Sequence, residues 1–253
     1  MRFAVAAALL LISIAGSRAA DLPLPRSDED SAHYQRCLDD ARSAPQKGLD
    51  EARDWRDGGG GFPADHCAAV ALFALGRYGE AAQAFEALGG AMMDQRRELR
   101  ASAMAQAGQS WLLAGEAEKA KTAFDAALHF TPNDPDLYID RARADAEAKD
   151  LPGAVADLDQ ALDLAPDRAE ALVYRASAYR QLGDLAHARA DIDAALKEVS
   201  DDAAGILERG NIRRLQDDPT GARADWEAVE KLAPNSPAAA AAKENLARLA
   251  AEK

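Results

Sequence analysis

The chain is 253 residues long, 48% hydrophobic but only 6% aromatic, and carries a formal net charge of −13 from 30 Lys and Arg against 43 Asp and Glu. So acidic a chain is a poor partner for nucleic acid or for an anionic membrane surface, because both draw affinity from clustered Lys and Arg. Its acidity is that of a long solvated surface.

In chain order, residues 1–19 have the form of a signal peptide: a basic Arg2, an apolar run over 4–14, and the small residues Ser17 and Ala19 at the cleavage positions. The run is too short and too alanine-rich for a membrane span, and no cysteine lies near the cleavage point to take a lipid. The expectation is export to a bacterial periplasm, with a mature chain beginning near Ala20, a linker over 20–28 and no membrane insertion after cleavage. Loss of Arg2 and Arg18 leaves 28 basic against 43 acidic residues, a net charge of −15.

Residues 29–61 read as a degenerate helical pair, with helices over 34–42 and 45–55 and a stop at Gly58 to Gly61. From there the chain repeats itself. Residues 117–127, 151–161, 185–195 and 219–229 superpose at a spacing of 34, and Pro132, Pro166 and Pro234 follow three of them at the same distance, with Ser200 in the other. This register gives five copies, 62–100, 101–134, 135–168, 169–202 and 203–236, the first extended by an insertion around 92–98. Each copy holds two blocks of helically spaced apolar residues separated by a turn such as Ala114-Gly115 or Leu182-Gly183-Asp184. Small residues recur at repeat position 8 (Gly108, Ala142, Ala176, Gly210) and alanine at position 20, with a bulky residue at position 24 (Phe85, Phe124, Leu158, Ile192, Trp226). Asp134 and Asp167 are placed to cap following helices. A last helix over 237–253, with Ala239, Ala242, Leu246 and Leu249 on one stripe, closes the array.

These residues resemble the tetratricopeptide-repeat family, whose period is 34. The resemblance implies an all-α, right-handed α-solenoid of helix-turn-helix repeats with a C-terminal capping helix. It departs from the family at position 4, where the large aromatic is present only as Tyr138.

Comparison among the copies separates two sets of charges. Position 7 is Arg141, Arg175 and Arg209 where position 23 is Asp157, Asp191 and Asp225, and both become alanine together in the two earlier copies, as Ala68 with Ala84 and Ala107 with Ala123. Paired loss points to a structural Arg–Asp bridge within each repeat. The resemblance places first helices on a concave face, where Phe73, Gln109, Leu112, Arg143, Val173, Ser177, Arg180, Asn211 and Arg214 would line a groove for a protein or peptide segment. Ile139, Leu113, Leu207 and Leu215 fall in the same row. The family's lysine-and-asparagine clamp is missing, since position 5 is Ala105, Ile139, Val173 and Leu207.

His129 and His187 read as surface residues, and no triad or phosphate loop is present in the sequence. His33, Cys37, His66 and Cys67 come together on neighbouring helices. An exported chain favours a Cys37–Cys67 disulfide, while a zinc site on the same four residues is the competing reading. The leading expectation is therefore a non-enzymatic, cofactor-free exported scaffold. The alternatives are an envelope enzyme or metal-binding protein centred on that cluster, and a membrane-tethered adaptor that keeps its N-terminus.

Overall fold

A computed structural model describes residues 28–93 and 96–251. The signal-peptide segment and all but the last residue of the linker lie outside the described residues. Among those described there are thirteen α-helices and no strand: α1 Asp28–Ser43, α2 Pro45–Asp57, α3 Gly61–Ala74, α4 Tyr78–Ala91, α5 Arg97–Leu113, α6 Ala117–Phe130, α7 Pro135–Glu147, α8 Leu151–Leu164, α9 Ala169–Leu182, α10 Leu185–Glu198, α11 Ala203–Leu215, α12 Pro219–Leu232 and α13 Pro237–Ala251. The chain divides into two compact units, the first ending at Asp150 and the second running from Leu151. The first holds α1 to α7 and the second α8 to α13.

Every copy turns in the same way after its first helix. Position 15 is left-handed in all five, as Gly76, Gly115 and Gly183 with φ of +72°, +76° and +85°, and as the non-glycine residues Lys149 and Asp217 with φ of +69° and +60°. At each, two backbone bonds close a Schellman turn: in the second copy Glu116 N–H donates to the Trp111 carbonyl and Gly115 N–H to Leu112. The second helix then starts two residues later.

Small-to-large packing holds the helical pairs within each unit together. A Cβ added to Gly108 would sit 2.7 Å from the Phe124 ring, and one added to Gly210 2.6 Å from the indole of Trp226. Phe124 and Trp226 are consequently 0% and 1% exposed. Where position 24 is the smaller Ile192, position 8 grows to Ala176, and both are fully buried. The degenerate pair α1/α2 approaches closely beside its turn instead, where a Cβ on Gly48 would lie 2.5 Å from the Ala41 backbone nitrogen. Its other end is wedged by His33 stacked on Trp55 at 4.3 Å.

Several boundaries differ from the sequence reading. α1 begins at Asp28, six residues before the expected start at 34, and Gly61 opens α3 rather than ending the previous pair. The insertion becomes an extra first turn on α5 plus a small satellite core of Leu88, Met92, Leu99 and Ala103 against Phe62. Arg97 and Arg100 in that turn donate to the carbonyls of His129 and Gly89, near the C-terminal ends of α6 and α4. Asp134 caps α7 as expected, accepting from Asp136 N–H. Asp167 does not cap α9, because the helix starts one residue later and Arg168 stands at the cap. Asp202, Asp184 and Asp218 carry that role for α11, α10 and α12.

The last helix keeps the repeat register, since Pro237 lies 34 residues after Ala203. Ser236 caps it, and Ala239, Ala242 and Leu249 are buried against the second unit, with Leu246 half-buried. In place of the small residue at position 8 stands the exposed Glu244, which gives the helix a polar outer side.

Candidate functional site

The N-terminal cluster resolves into a staple and a buried polar network. Cys37 on α1 and Cys67 on α3 form a disulfide with Cα atoms 6.1 Å apart, and both are fully buried. This overturns the zinc reading, because the two thiolates a zinc ion would need are consumed in the bond. His66 is buried as well. Its Nδ1 lies 2.6 Å from the Tyr34 hydroxyl and its Nε2 3.1 Å from Gln106 Oε1, whose amide nitrogen donates in turn to the Ser102 carbonyl. Gln106 accepts at Nε2, so the imidazole is the neutral Nε2–H tautomer and Tyr34 donates to Nδ1. Burial pulls the His66 pKa down to about 4. His33 sits apart from this network, against Trp55 with its Nε2 3.1 Å from Glu51. His129 and His187 are exposed, as the sequence suggested.

The position 7 arginines are bridged, and more widely than within one repeat. Arg175 donates through Nε and Nη2 to the two oxygens of Asp191, each at 2.8 Å, and through Nη1 to Asp159 of the preceding copy at 2.6 Å. Both carboxylates hold its guanidinium protonated beyond its ordinary range, Asp191 most strongly. Arg209 repeats the bidentate geometry on Asp225, which Arg213 shares at 2.8 Å. Arg141 and Asp157 belong to different units. Within its own unit Arg141 donates to Asp125 at 2.6 Å, the same step from position 7 to position 25 of the copy before.

The row of first helices in each unit carries a second polar ladder. In the first unit Gln109 donates to Asp140 at 2.9 Å, and Arg143 donates to the other oxygen of the same carboxylate at 2.9 Å. Burial raises the Asp140 pKa, and the facing Arg143 opposes that shift. In the second unit Arg180 donates through Nε to Glu208 at 2.5 Å and through Nη2 to Ser177, and Asn211 donates to the other Glu208 oxygen. Asn211 also accepts from Trp226 Nε1 and from Asn245 on α13. The sequence reading placed Arg143, Arg180, Gln109, Ser177 and Asn211 in this row but passed over Asp140 and Glu208. Both stand at position 6, and their recurrence as acids three residues before Arg143 and Asn211 was the available signal.

The apolar members of the row divide. Val173 and Ile139 are buried, 7% and 3% exposed, and act in helix packing. Phe73 and Leu112 are half-buried, Phe73 with its edge to the Tyr78 ring at 5.4 Å. Leu215 is 49% exposed, and Arg214 beside it is exposed.

No family model matches the sequence, and no curated relative matches it. Solved structures do match. A tetratricopeptide repeat protein from Parabacteroides merdae superposes with a TM-score of 0.63 at 18% identity, over 87% of this chain and 83% of that one. MamA from Desulfovibrio magneticus RS-1 gives 0.58 at 19% identity over 68% and 96% of the two chains. YrrB, described as a tetratricopeptide protein with an unusual peptide-binding site, gives 0.52 at 17% identity over 72% and 91%.

Proposed function

From the tetratricopeptide-repeat fold that the chain shares with these proteins, we propose that it is a non-enzymatic scaffold, exported to a bacterial periplasm, that holds a protein or peptide segment on the first helices of a unit. The carrying observation is the ladder of Gln109, Asp140 and Arg143 in one unit and Ser177, Arg180, Glu208 and Asn211 in the other. Glu208 is buried and the others are half-buried, and within each unit they hold one another in fixed orientations, so a segment laid on either ladder meets ordered donors and acceptors at little entropic cost. YrrB supports the reading as a protein of the same fold whose binding site takes peptide. The disulfide supports an oxidising compartment.

Cross-linking in intact cells followed by capture of the chain tests the role. Loss of a partner on replacing Arg143, Arg180 and Arg214 by Glu supports it, and an unchanged partner set refutes it. N-terminal sequencing of the exported chain tests the compartment: a start near Ala20 supports a released periplasmic protein, and a retained leader points to the tethered form. No described helix is long and apolar enough to cross a membrane.

A further inference from the structure

The pair α1 and α2 is the part of the first unit least able to hold itself in place. It stands at the end of the array and packs on α3, so it has a neighbouring pair on one side only. The buried face of α1 is Tyr34, Cys37, Leu38 and Ala41, one stripe at helical spacing with Cys37 in it. α2 buries Gly48, Leu49 and Ala52, and has no buried ring to match Phe85 on α4 or Phe124 on α6. The other sides of the pair carry charge, with Asp39, Arg42, Arg53, Asp54, Arg56 and Asp57 all exposed.

α3 is the opposite case. From Cys67 to Ala74 it is apolar on every side, and Ala64, His66, Cys67, Ala69, Ala71 and Leu72 are buried. A helix of that composition needs cover all round, and α1 and α2 supply part of it. Two side-chain links join α1 to α3, one turn apart on α1: the Cys37–Cys67 disulfide and the Tyr34 hydroxyl on His66 Nδ1.

We propose that α1 and α2 form a redox-controlled cap, closed over α3 while Cys37 and Cys67 are joined and released when a dithiol reductant parts them. In that exchange a thiolate of the reductant attacks one sulfur of the bond, and the other cysteine leaves as a thiolate that takes up a proton. The second thiol of the reductant then displaces the first cysteine. The chain gains two thiols and the reductant becomes its own disulfide, a transfer of two electrons. Both sulfurs are 0% exposed, so attack follows a brief opening of the pair, and loss of the bond then makes that opening persist. The bond closes a separation of 30 residues, and that restriction of the open state ends with it. One hydrogen bond and a thin apolar face are left against the conformational entropy of residues 28–57. Release stops at α3, because the contacts of α5 with α4 and with α6 are the most extensive in the unit and involve neither α1 nor α2. No partner enters this device, so it stands apart from the scaffold reading.

Hydrogen exchange of the full chain, read by mass spectrometry, tests the cap. Oxidised protein is compared with protein held in dithiothreitol, and alkylation of an unfolded aliquot verifies complete reduction. Amides of α1 and α2 should exchange at least about ten-fold faster in the reduced chain, with α3 following, while α5 and α6 stay within about two-fold. Replacing dithiothreitol by oxidised glutathione should restore the slow pattern. Unchanged protection of α1 and α2 in the reduced chain overturns the proposal, as does a failure to regain protection on reoxidation. Equal loss through α6 overturns it too, because the bond would then hold the whole unit. Cys37→Ala with Cys67→Ala should show the fast pattern in α1 and α2 from the start and no response to dithiothreitol. Slow exchange in that variant counts against the cap.

Discussion

Replacing Arg175 by alanine leaves two carboxylates without the cation that holds them. Three charge-assisted bonds are lost, two to Asp191 and one to Asp159. Asp191 is the costly loss because its side chain is only 11% exposed, whereas Asp159 is 47% exposed and rehydrates. Breaking a buried pair costs about 3–5 kcal/mol. With Arg175 itself 20% exposed, water screens part of that, and about 2–3 kcal/mol is expected. The decisive variant is Arg175→Ala with Asp191→Ala, which recreates the contact the chain already uses at Ala107 and Ala123, 0% and 3% exposed. Removing both charges removes the desolvation penalty, so the double variant should recover most of the loss, with a coupling energy of about 1–2 kcal/mol. Urea unfolding followed by circular dichroism at several wavelengths measures it, with midpoints compared because repeat arrays need not unfold in one step. A double variant as unstable as the sum of the two singles would refute the account of a structural bridge.

Acidification should destabilise the first unit through His66. Its folded pKa of about 4 lies below the ordinary 6.5, so the unfolded chain takes up a proton first as pH falls. Stability is then complete above pH 6.5 and declines as pH drops towards 4, by roughly 3 kcal/mol, and His66→Gln should flatten that slope in urea midpoints taken across the range. Replacing Cys37 and Cys67 by serine should cost about 3–4 kcal/mol in the chain-entropy view and speed tryptic cleavage at Arg36, Arg42 or Lys47, with intact mass before and after reduction confirming the bond. Gly210→Ala gains up to about 1 kcal/mol of helix propensity but drives a methyl against Trp226, so a net loss of about 1–2 kcal/mol and a changed near-ultraviolet tryptophan signal are expected. Lys149→Gly relieves a left-handed lysine and should raise stability by about 0.5–1 kcal/mol, and a fall in the thermal midpoint would count against the turn assignment.

The repeat register was legible because it is written in side chains that must fit one another: a glycine at 108 or 210 makes sense only beside a ring at 124 or 226. The paired substitution of positions 7 and 23 likewise encodes the Arg175–Asp191 and Arg209–Asp225 bridges. The second anchor of Arg175 on Asp159 was not legible, because the acids at position 25 are exposed enough to pass for ordinary surface charge. Asp140 and Glu208 escaped for a related reason. An isolated carboxylate on an amphipathic helix looks solvated until a neighbouring repeat brings a guanidinium or an amide against it. The Asp167 cap failed by one residue, within the range over which helix starts shift with local turn geometry. Cys37 and Cys67 illustrate a different limit: the spacing allowed metal or disulfide, and only the approach of α1 to α3 decided between them.

The left-handed residue at position 15 also bears on how the chain reaches this state. Each reversal is closed by bonds spanning three and five residues, so every hairpin can form from local sequence alone, without waiting for distant segments to meet. Contacts of such short reach favour fast folding, and an array of them can nucleate in any copy and extend to its neighbours. Lys149 and Asp217, where glycine is absent from the turn, mark the copies in which that local start is dearest.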